Sequence, residues 1–514
     1  MKLKNLIQVL KAQNLIAADT AAPDPADIDI RAIQYRAQEV EPGDLFVAIK
    51  GLAADGHDFI AQAVTRGAAA IVCERPTAAG VATIAVTQAR LALAELAAAY
   101  YGQPSHAMTL IGITGTNGKT TTSYLVERML AASGKACGVI GTINYRYADK
   151  MFDNPVTTPE SLDLQRIMAD MRSAGVTHVV MEVSSHALDL HRVHACAFDV
   201  GVFTNFTQDH LDYHKQMDAY WACKRMLFSR YLPASAGIKN PRAVLNCDDP
   251  KGRSLSAEIE YPCLTTGART KDSVHVIESD FDLHGIAARI GTPSGELAFN
   301  APLVGRHNLE NILNAVGVGV ALELPLTTIQ TGIEALSSVP GRLERVPNDA
   351  GRFVYVDYAH TPDALENVLL ALRSLTADRI ICVFGCGGDR DRAKRPQMGA
   401  IAARLSDLAI VTSDNPRTEP PEQIIAQIVP GVRREPVVHY TLDRLAHRGF
   451  DEKGYAVEAD RRAAIRLSVM ASQLGDTILI AGKGHEPYQV VGREKQPFDD
   501  RLEAAAALME KPWN

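Results

Sequence analysis

Long apolar runs are missing from this chain. No stretch of 18 uninterrupted apolar residues occurs, whereas a membrane-spanning helix needs about 20, so no segment is expected to cross a membrane. The N-terminal stretch MKLKNLIQVLKAQNLIAA lacks an unbroken apolar centre and a cleavage-type ending. It reads as an amphipathic helix with Leu3, Leu6, Ile7 and Leu10 on one face, not as an export signal. A basic excess is missing too: Lys and Arg number 53 against 60 Asp and Glu, with a net charge of −7 and a pI near 6.1. A nucleic-acid partner is therefore not expected, and any phosphate chemistry must rest on local constellations. The eight cysteines (Cys73, Cys137, Cys196, Cys223, Cys247, Cys263, Cys382 and Cys386) include no CxxC pair and have mostly apolar neighbours. They read as reduced core thiols of a cytoplasmic protein without a zinc site.

What is present is large and ordinary in bulk. A length of 514 residues suggests roughly three domains of about 150 residues. Residues 1–104 mix short β-type runs (44–49, 69–73, 82–86) with helical stretches and form a small α/β domain. The turn at Gly102–Ser105 closes it. Residues 105–338 carry apolar runs at 109–114, 137–142, 178–183, 198–204 and 243–246 separated by helical segments, the pattern of a mostly parallel sheet covered on both faces. After a break at SSVPG, residues 339–514 repeat the alternation with runs at 353–358, 379–385, 408–413 and 477–482. The expected fold class is α/β in three domains, with a central P-loop parallel sheet and a C-terminal Rossmann-like parallel sheet.

The sharpest motif is TLIGITGTNGKTTT, residues 109–122. An apolar strand ends at Gly115, Thr116, Asn117, Gly118, Lys119, Thr120 and Thr121, and a helix follows. Bare amides and a helix N-terminus suit phosphate oxygens, the lysine adds a mobile charge, and the threonine hydroxyl can ligate magnesium. Ile113 stands where the general pattern wants a glycine, so this is the compact GTNGKT variant. GCGGDR (385–390) lacks the third glycine of a dinucleotide fingerprint.

Other polar residues collect where strands end. Glu182 closes an apolar run and is well placed for magnesium. Asp209, His210, Asp212 and His214 crowd the next strand end, either as metal ligands or as a satisfied surface network. Four clusters lie at the ends of the C-terminal runs: Asp357, Cys386–Arg390, Asp414–Arg417 and Lys483–Glu486. Ligands gather at such ends in parallel sheets.

The ordered set GTNGKT, MEVSSH, NFTQDHLDYH, AYWACKRMLF, GRHNLEN, PGRLERV, VDYAHTPDAL and AGKGHE resembles the Mur ligases along nearly the whole chain. The resemblance implies an N-terminal domain for a uridine-nucleotide substrate, a central ATP-binding domain and a C-terminal domain for an incoming amino acid. TSDNPRTEP points to the branch that adds meso-diaminopimelate to UDP-N-acetylmuramoyl-L-alanyl-D-glutamate. The implied reaction is ATP-driven amide formation through an acyl phosphate, with Mg²⁺ as cofactor and no covalent protein nucleophile. Closure would bring the loop and the amino-acid site together.

Residue by residue, the resemblance implies a carbamylated Lys224 that helps hold magnesium with Thr120, Glu182 and His210. Without it, Lys224 reads as an exposed helical lysine. Lys119, Lys224 and His210 are then the catalytic set. Asn308, Arg342 and Asp357 would reach the nucleotide, although Asn308 also suits a helix cap. Thr157, Thr158, Ser184 and Arg192 match positions that hold the muramoyl dipeptide. Arg417 is expected to pair with the distal carboxylate of diaminopimelate, assisted by Arg390, while Asp414 and Glu486 suit its ammonium. Asn415, Pro416 and Gly482 complete that site. Gln34, Tyr35 and Arg36, and also Leu190, depart from the family pattern and bear on the uridine side. A lysine-adding sister, a folate polyglutamylating ligase and a P-loop switch are the competitors. A monomer is expected.

Overall fold

The computed structural model describes residues 1–17, 28–52, 54–75 and 79–510; the side chain of Asp212, named above, lies outside the described residues. The chain forms two compact units: Met1–Phe206 with His214–Thr266 and Gly317–Leu324, and Thr207–Tyr213 with Gly267–Val316 and Pro325–Asn514.

The first unit begins with helix Leu3–Ala12, whose Leu3, Leu6, Ile7 and Leu10 are buried as their spacing predicts. A parallel sheet follows in the order Ile33–Gln34, Leu45–Val47, Ala70–Cys73, Ala82–Ala85. Helix Ala89–Tyr100 covers it, with Ala89, Ala92 and Ala97 fully buried.

The larger sheet of this unit runs Cys263–Gly267, Arg242–Asn246, Val200–Phe203, Thr109–Thr114, His178–Glu182, Cys137–Ile140, all parallel. An antiparallel hairpin, Asn144–Tyr147 with Lys150–Asp153, extends it. The expected mostly parallel sheet thus carries an antiparallel edge here. The hairpin is partly exposed and its residues alternate in character, so it offers no apolar run. Thr109–Thr114 lies between Val200–Phe203 and His178–Glu182, with Thr114 opposite Phe203 and Ile113 opposite Glu182. Three strand ends therefore discharge their loops at one place.

The second unit holds an antiparallel meander, Val274–Phe281, Ile286–Thr292 and Gly295–Ala301. Its buried and exposed residues alternate, which is the signature of a half-buried strand and gave no continuous apolar signal. The unit's main sheet runs Glu344–Arg345, Phe353–Asp357, Thr477–Ala481, Ile380–Phe384, Leu408–Val411, Gly454–Val457, Val438–His439, parallel apart from the first pair. Separate apolar cores cover its two faces, as fully apolar strands require.

Candidate active site

The phosphate loop is built by backbone geometry first. Gly115 has φ 151° and Gly118 φ 83°, and a Cβ at Gly115 would run into the Thr204 hydroxyl. Only glycine fits there. The loop is braced by the neighbouring strand: Thr116 N donates to Asn205 O at 2.9 Å, Asn117 N to Asn205 Oδ1 at 2.9 Å, and Thr204 Oγ1 to Asn117 O at 2.6 Å. Helix Lys119–Ala132 starts at the loop and aims its N-terminus at it. Thr121 lies buried in the first turn. Lys119 Nζ donates to Gly115 O at 2.9 Å and Thr116 O at 2.8 Å.

Lys224 lies on helix Met217–Met226, where it is 1% exposed, and a π-helical turn, Leu227–Tyr231, follows. Its Nζ donates to Gly115 O at 2.7 Å and sits 4.6 Å from the Tyr220 ring centroid. The exposed-lysine reading fails, because the helix buries this side chain beneath the loop.

Beside the loop, Glu182 is 1% exposed. Its Oε2 accepts from Thr120 Oγ1 at 3.2 Å and from Thr142 Oγ1 at 2.8 Å, while Oε1 accepts Thr142 N at 3.0 Å. A Cβ at Gly141 would collide with the same carboxylate. The cluster continues through Thr142 Oγ1 to Thr157 Oγ1 at 3.2 Å and through Thr158 Oγ1 to Glu182 O at 2.8 Å. Ser184 N donates to Thr158 Oγ1 at 3.1 Å, and Arg192 Nη1 to Thr158 O at 3.0 Å. Six of the sequence-predicted residues, Thr120, Thr157, Thr158, Glu182, Ser184 and Arg192, thus join, with Thr142, one hydrogen-bonded cluster.

In the second unit, Asp414 and Asn415 are nearly buried, and Arg417 adopts φ 52 with Nη1 donating to Gly388 O at 2.9 Å. Asn415 Nδ2 donates to Glu486 Oε2 at 2.8 Å, and fully buried Lys483 donates from Nζ to Asn415 Oδ1 at 2.9 Å. Lys483 Nζ also lies 3.4 Å from Glu486 and 3.9 Å from Asp414. Burial pulls this amine below its ordinary value, while Asp414 and Glu486 oppose the shift. Gly482 has φ 120, and a Cβ there would sit 3.5 Å from the Asp414 carboxylate. Gly387 packs between Arg417 and Arg390, and Arg390 is exposed.

With both clusters placed, the chain can be set beside known proteins. The model of the Mur ligase family catalytic domain matches residues 29–101, the Mur ligase middle domain 113–319, and the Mur ligase glutamate ligase domain 341–484. The chain belongs to the Mur ligase family. It is 50% identical over 485 residues to the UDP-N-acetylmuramoyl-L-alanyl-D-glutamate–2,6-diaminopimelate ligase of Geobacter metallireducens, covering 94% of this chain and 95% of that one. The enzyme of the same name from Geobacillus kaustophilus is 44% identical, covering 94% and 96%. A solved structure of a 2,6-diaminopimelate ligase superposes with TM-score 0.67 at 31% identity, covering 93% and 95%. Mycobacterium tuberculosis folylpolyglutamate synthase shares the fold, with TM-score 0.58 at 18% identity over 82% of this chain and 95% of that one.

In this Mur ligase the remaining predicted residues sit as follows. Asn308 is not a helix cap: helix Arg306–Ala321 starts before it, its amide donates to Val304 O at 2.8 Å, and its oxygen accepts from Asn311 at 3.1 Å. Asp357 accepts Leu343 N at 2.7 Å and Ala359 N at 2.8 Å, and burial raises its carboxyl above the usual range. Neighbouring Arg342 stacks 4.7 Å from the Tyr358 ring centroid. His210, with φ 53, is 3.4 Å from Asp209 and partly exposed; it belongs to the second unit, whereas Thr120, Glu182 and Lys224 belong to the first. Among the described residues no three His, Cys, Asp or Glu side chains gather into a metal site. No helix among them is long and apolar enough to cross a membrane.

Two residues escaped the sequence reading. Thr142 holds both oxygens of Glu182, and its only signal was a position just past the strand Cys137–Ile140. Lys483, noted only as part of a strand-end cluster, is the buried cation that joins Asn415 to Glu486. Burial pushes the Cys223 thiol up to about 11, which favours the neutral thiol over the nucleophilic thiolate.

Proposed function

We propose that this Mur ligase is an ATP-dependent amide ligase that adds meso-2,6-diaminopimelate to the D-glutamate of UDP-N-acetylmuramoyl-L-alanyl-D-glutamate in peptidoglycan synthesis. The observation that carries the reading is the second strand-end cluster: Asp414, Asn415, Arg417, Lys483 and Glu486 set cationic and anionic groups side by side, as a zwitterionic diamino acid with two carboxylates requires. A P-loop switch has no use for it.

The γ-carboxylate of the substrate takes the γ-phosphoryl group of ATP and releases ADP. The amine then attacks the acyl carbon, loses a proton, and inorganic phosphate leaves. Lys119, the loop amides and the helix N-terminus stabilise charge on the transferring group. Thr157, Thr158, Ser184 and Arg192 hold the muramoyl dipeptide beside the loop, and Asn308, Arg342 and Asp357 serve the nucleotide.

The residues fit a magnesium ion by donor chemistry. Thr120 and Glu182 offer hard oxygens 3.2 Å apart, and magnesium commonly takes one or two protein oxygens with the rest from phosphates and water. It would be held by Thr120, Glu182 and a carbamylated Lys224, and when bound it would neutralise phosphate charge. The protein works as a cytoplasmic monomer.

Phosphate release from ATP, measured with the muramoyl dipeptide and a panel of diamino acids, tests the function. Release should require both the dipeptide and meso-diaminopimelate. Release without an amino acid would favour a switch, and equal use of L-lysine would favour the lysine-adding sister.

A further inference from the structure

The segment Asp414–Arg417 is held from outside by a short antiparallel hairpin, Tyr488–Val491 paired with Glu494–Pro497. Gln489 Nε2 donates to Asp414 O at 2.6 Å and approaches Ser413 Oγ at 3.4 Å. Val490 N donates to Asn415 Oδ1 at 2.9 Å. Arg417 N donates to Val490 O at 3.0 Å, and Gly492 N to Arg417 O at 2.7 Å. Each of Asp414, Asn415 and Arg417 is therefore tied to the hairpin.

The tie matters most at Arg417. Its φ of 52 lies in the left-handed region, which is disfavoured for L-residues other than glycine. Such a conformation persists only where the surroundings impose it. Here both backbone polar groups of Arg417 are fixed by the hairpin, which sets where the side chain leaves the backbone, while Gly388 O holds Nη1.

The hairpin has little else to do. Its outer strand is exposed throughout, and a cavity of about 270 Å³, lined by Ser413, Pro416, Arg461, Gln489, Gln496 and Phe498 among others, lies beneath it. A lone two-stranded hairpin is marginal in water, so the hydrogen bonds to Ser413–Arg417 carry its docking. It also lies beyond residue 484, where the match to the glutamate ligase domain ends.

We propose that this hairpin is a positioning element for amino-acid selection, with Gln489 as its positioning residue. Gln489 touches no reacting atom in this scheme; its side chain acts through the Asp414 carbonyl, while Val490 and Gly492 of the same hairpin hold the Arg417 backbone. The inference rests on the reading of Arg417 and its neighbours as the amino-acid site.

The test compares Gln489→Met, which keeps length and removes the donor, with Arg417→Ala in the full chain. Steady-state kinetics should show KM for meso-diaminopimelate raised about tenfold in Gln489→Met, as the loss of one hydrogen bond implies. The kcat at saturation and the KM values for ATP and the dipeptide nucleotide should stay within about twofold. The preference for meso-diaminopimelate over L-lysine should narrow by a similar factor. Hydrogen exchange should quicken at the amides of Arg417 and Gly492 but not across the sheet. If Arg417→Ala raises that KM and Gln489→Met does not, the positioning role is overturned while the amino-acid site stands. If Arg417→Ala leaves meso-diaminopimelate use intact, the site reading fails and the inference goes with it. Parallel losses for every substrate with a lowered thermal midpoint would mean a merely structural hairpin and would also overturn the proposal.

Discussion

Lys119 and Lys224 donate to one oxygen, the carbonyl of Gly115, at 2.9 and 2.7 Å. Two ammonium groups on one acceptor repel, and Lys224 is almost fully buried, where water screens little. Reaction of a neutral Lys224 Nζ with carbon dioxide, releasing one proton, would replace that repulsion with attraction between a carbamate and Lys119. With ¹³C-bicarbonate the protein should show a carbamate resonance that disappears in Lys224→Ala, and that variant should lose most of its activity. A resonance that persists in the variant, or a wild-type spectrum without one, would rule the carbamate out.

Lys119 Nζ donates to two loop carbonyls, so Lys119→Ala removes charge where phosphoryl transfer develops it. Turnover should fall by about 10²–10³ or more while the circular dichroism spectrum and thermal midpoint stay close to wild type. Near-normal turnover in the folded variant would take the loop out of the mechanism.

Thr142 orients the Glu182 carboxylate with both its amide and its hydroxyl. Thr142→Val keeps the shape and the amide but deletes the hydroxyl donor. A hydrogen bond to a charged group is worth about 1.5–3 kcal/mol, so the magnesium concentration needed for half-maximal turnover should rise roughly tenfold or more. An unchanged magnesium titration would show that Glu182 does not serve the metal.

The legible parts of this protein were those with a local signature. The phosphate loop announces itself through Gly115, Gly118 and Lys119 in order, and the buried strands Ile380–Phe384 and Thr477–Ala481 are continuous apolar runs. The meander from Val274 to Ala301 alternates and left no such run. Lys224 and Lys483 look like any surface lysine in sequence, because only the tertiary fold buries them to 1% and 0%. Thr142 acquires meaning solely from a carboxylate 40 residues away in the chain.

Arg395 and Glu419 give a pH signature. Fully buried Arg395 donates to both Glu419 oxygens, at 3.0 and 2.8 Å, and to Gly387 O at 3.1 Å, while Asp389 N donates to Glu419 at 2.6 Å. Chiefly through the hydrogen bonds from Arg395, the Glu419 carboxyl is held down to about 2 from its ordinary 4.5. A depressed carboxyl stabilises the fold fully above its unfolded value and loses that contribution as pH falls through the folded value. Wild-type stability should therefore drop more steeply between pH 4.5 and 2 than that of Glu419→Gln, followed by urea unfolding at each pH. Parallel curves would mean that the pair contributes nothing.

Arg417 should decide between amino acids that differ at one end. Meso-diaminopimelate carries a distal carboxylate that L-lysine lacks, and a guanidinium fork pairs with a carboxylate twice. Arg417 holds its Nη1 on Gly388 O and stands beside Gly387 with Arg390, so the two arginines come from the loops after the paired strands Leu408–Val411 and Ile380–Phe384. If lysine occupied the site, the guanidinium would face a distal ammonium with no carboxylate to pair with. A site built for a polar group rejects the analogue lacking it by about 10⁴–10⁵. Arg417→Ala should thus cut kcat/KM for meso-diaminopimelate by at least about 10² and change the much slower use of L-lysine little. Competition assays with both amino acids would measure the ratio directly. A wild-type enzyme that uses the two equally, or a variant that loses both in proportion, would transfer the discrimination to another residue.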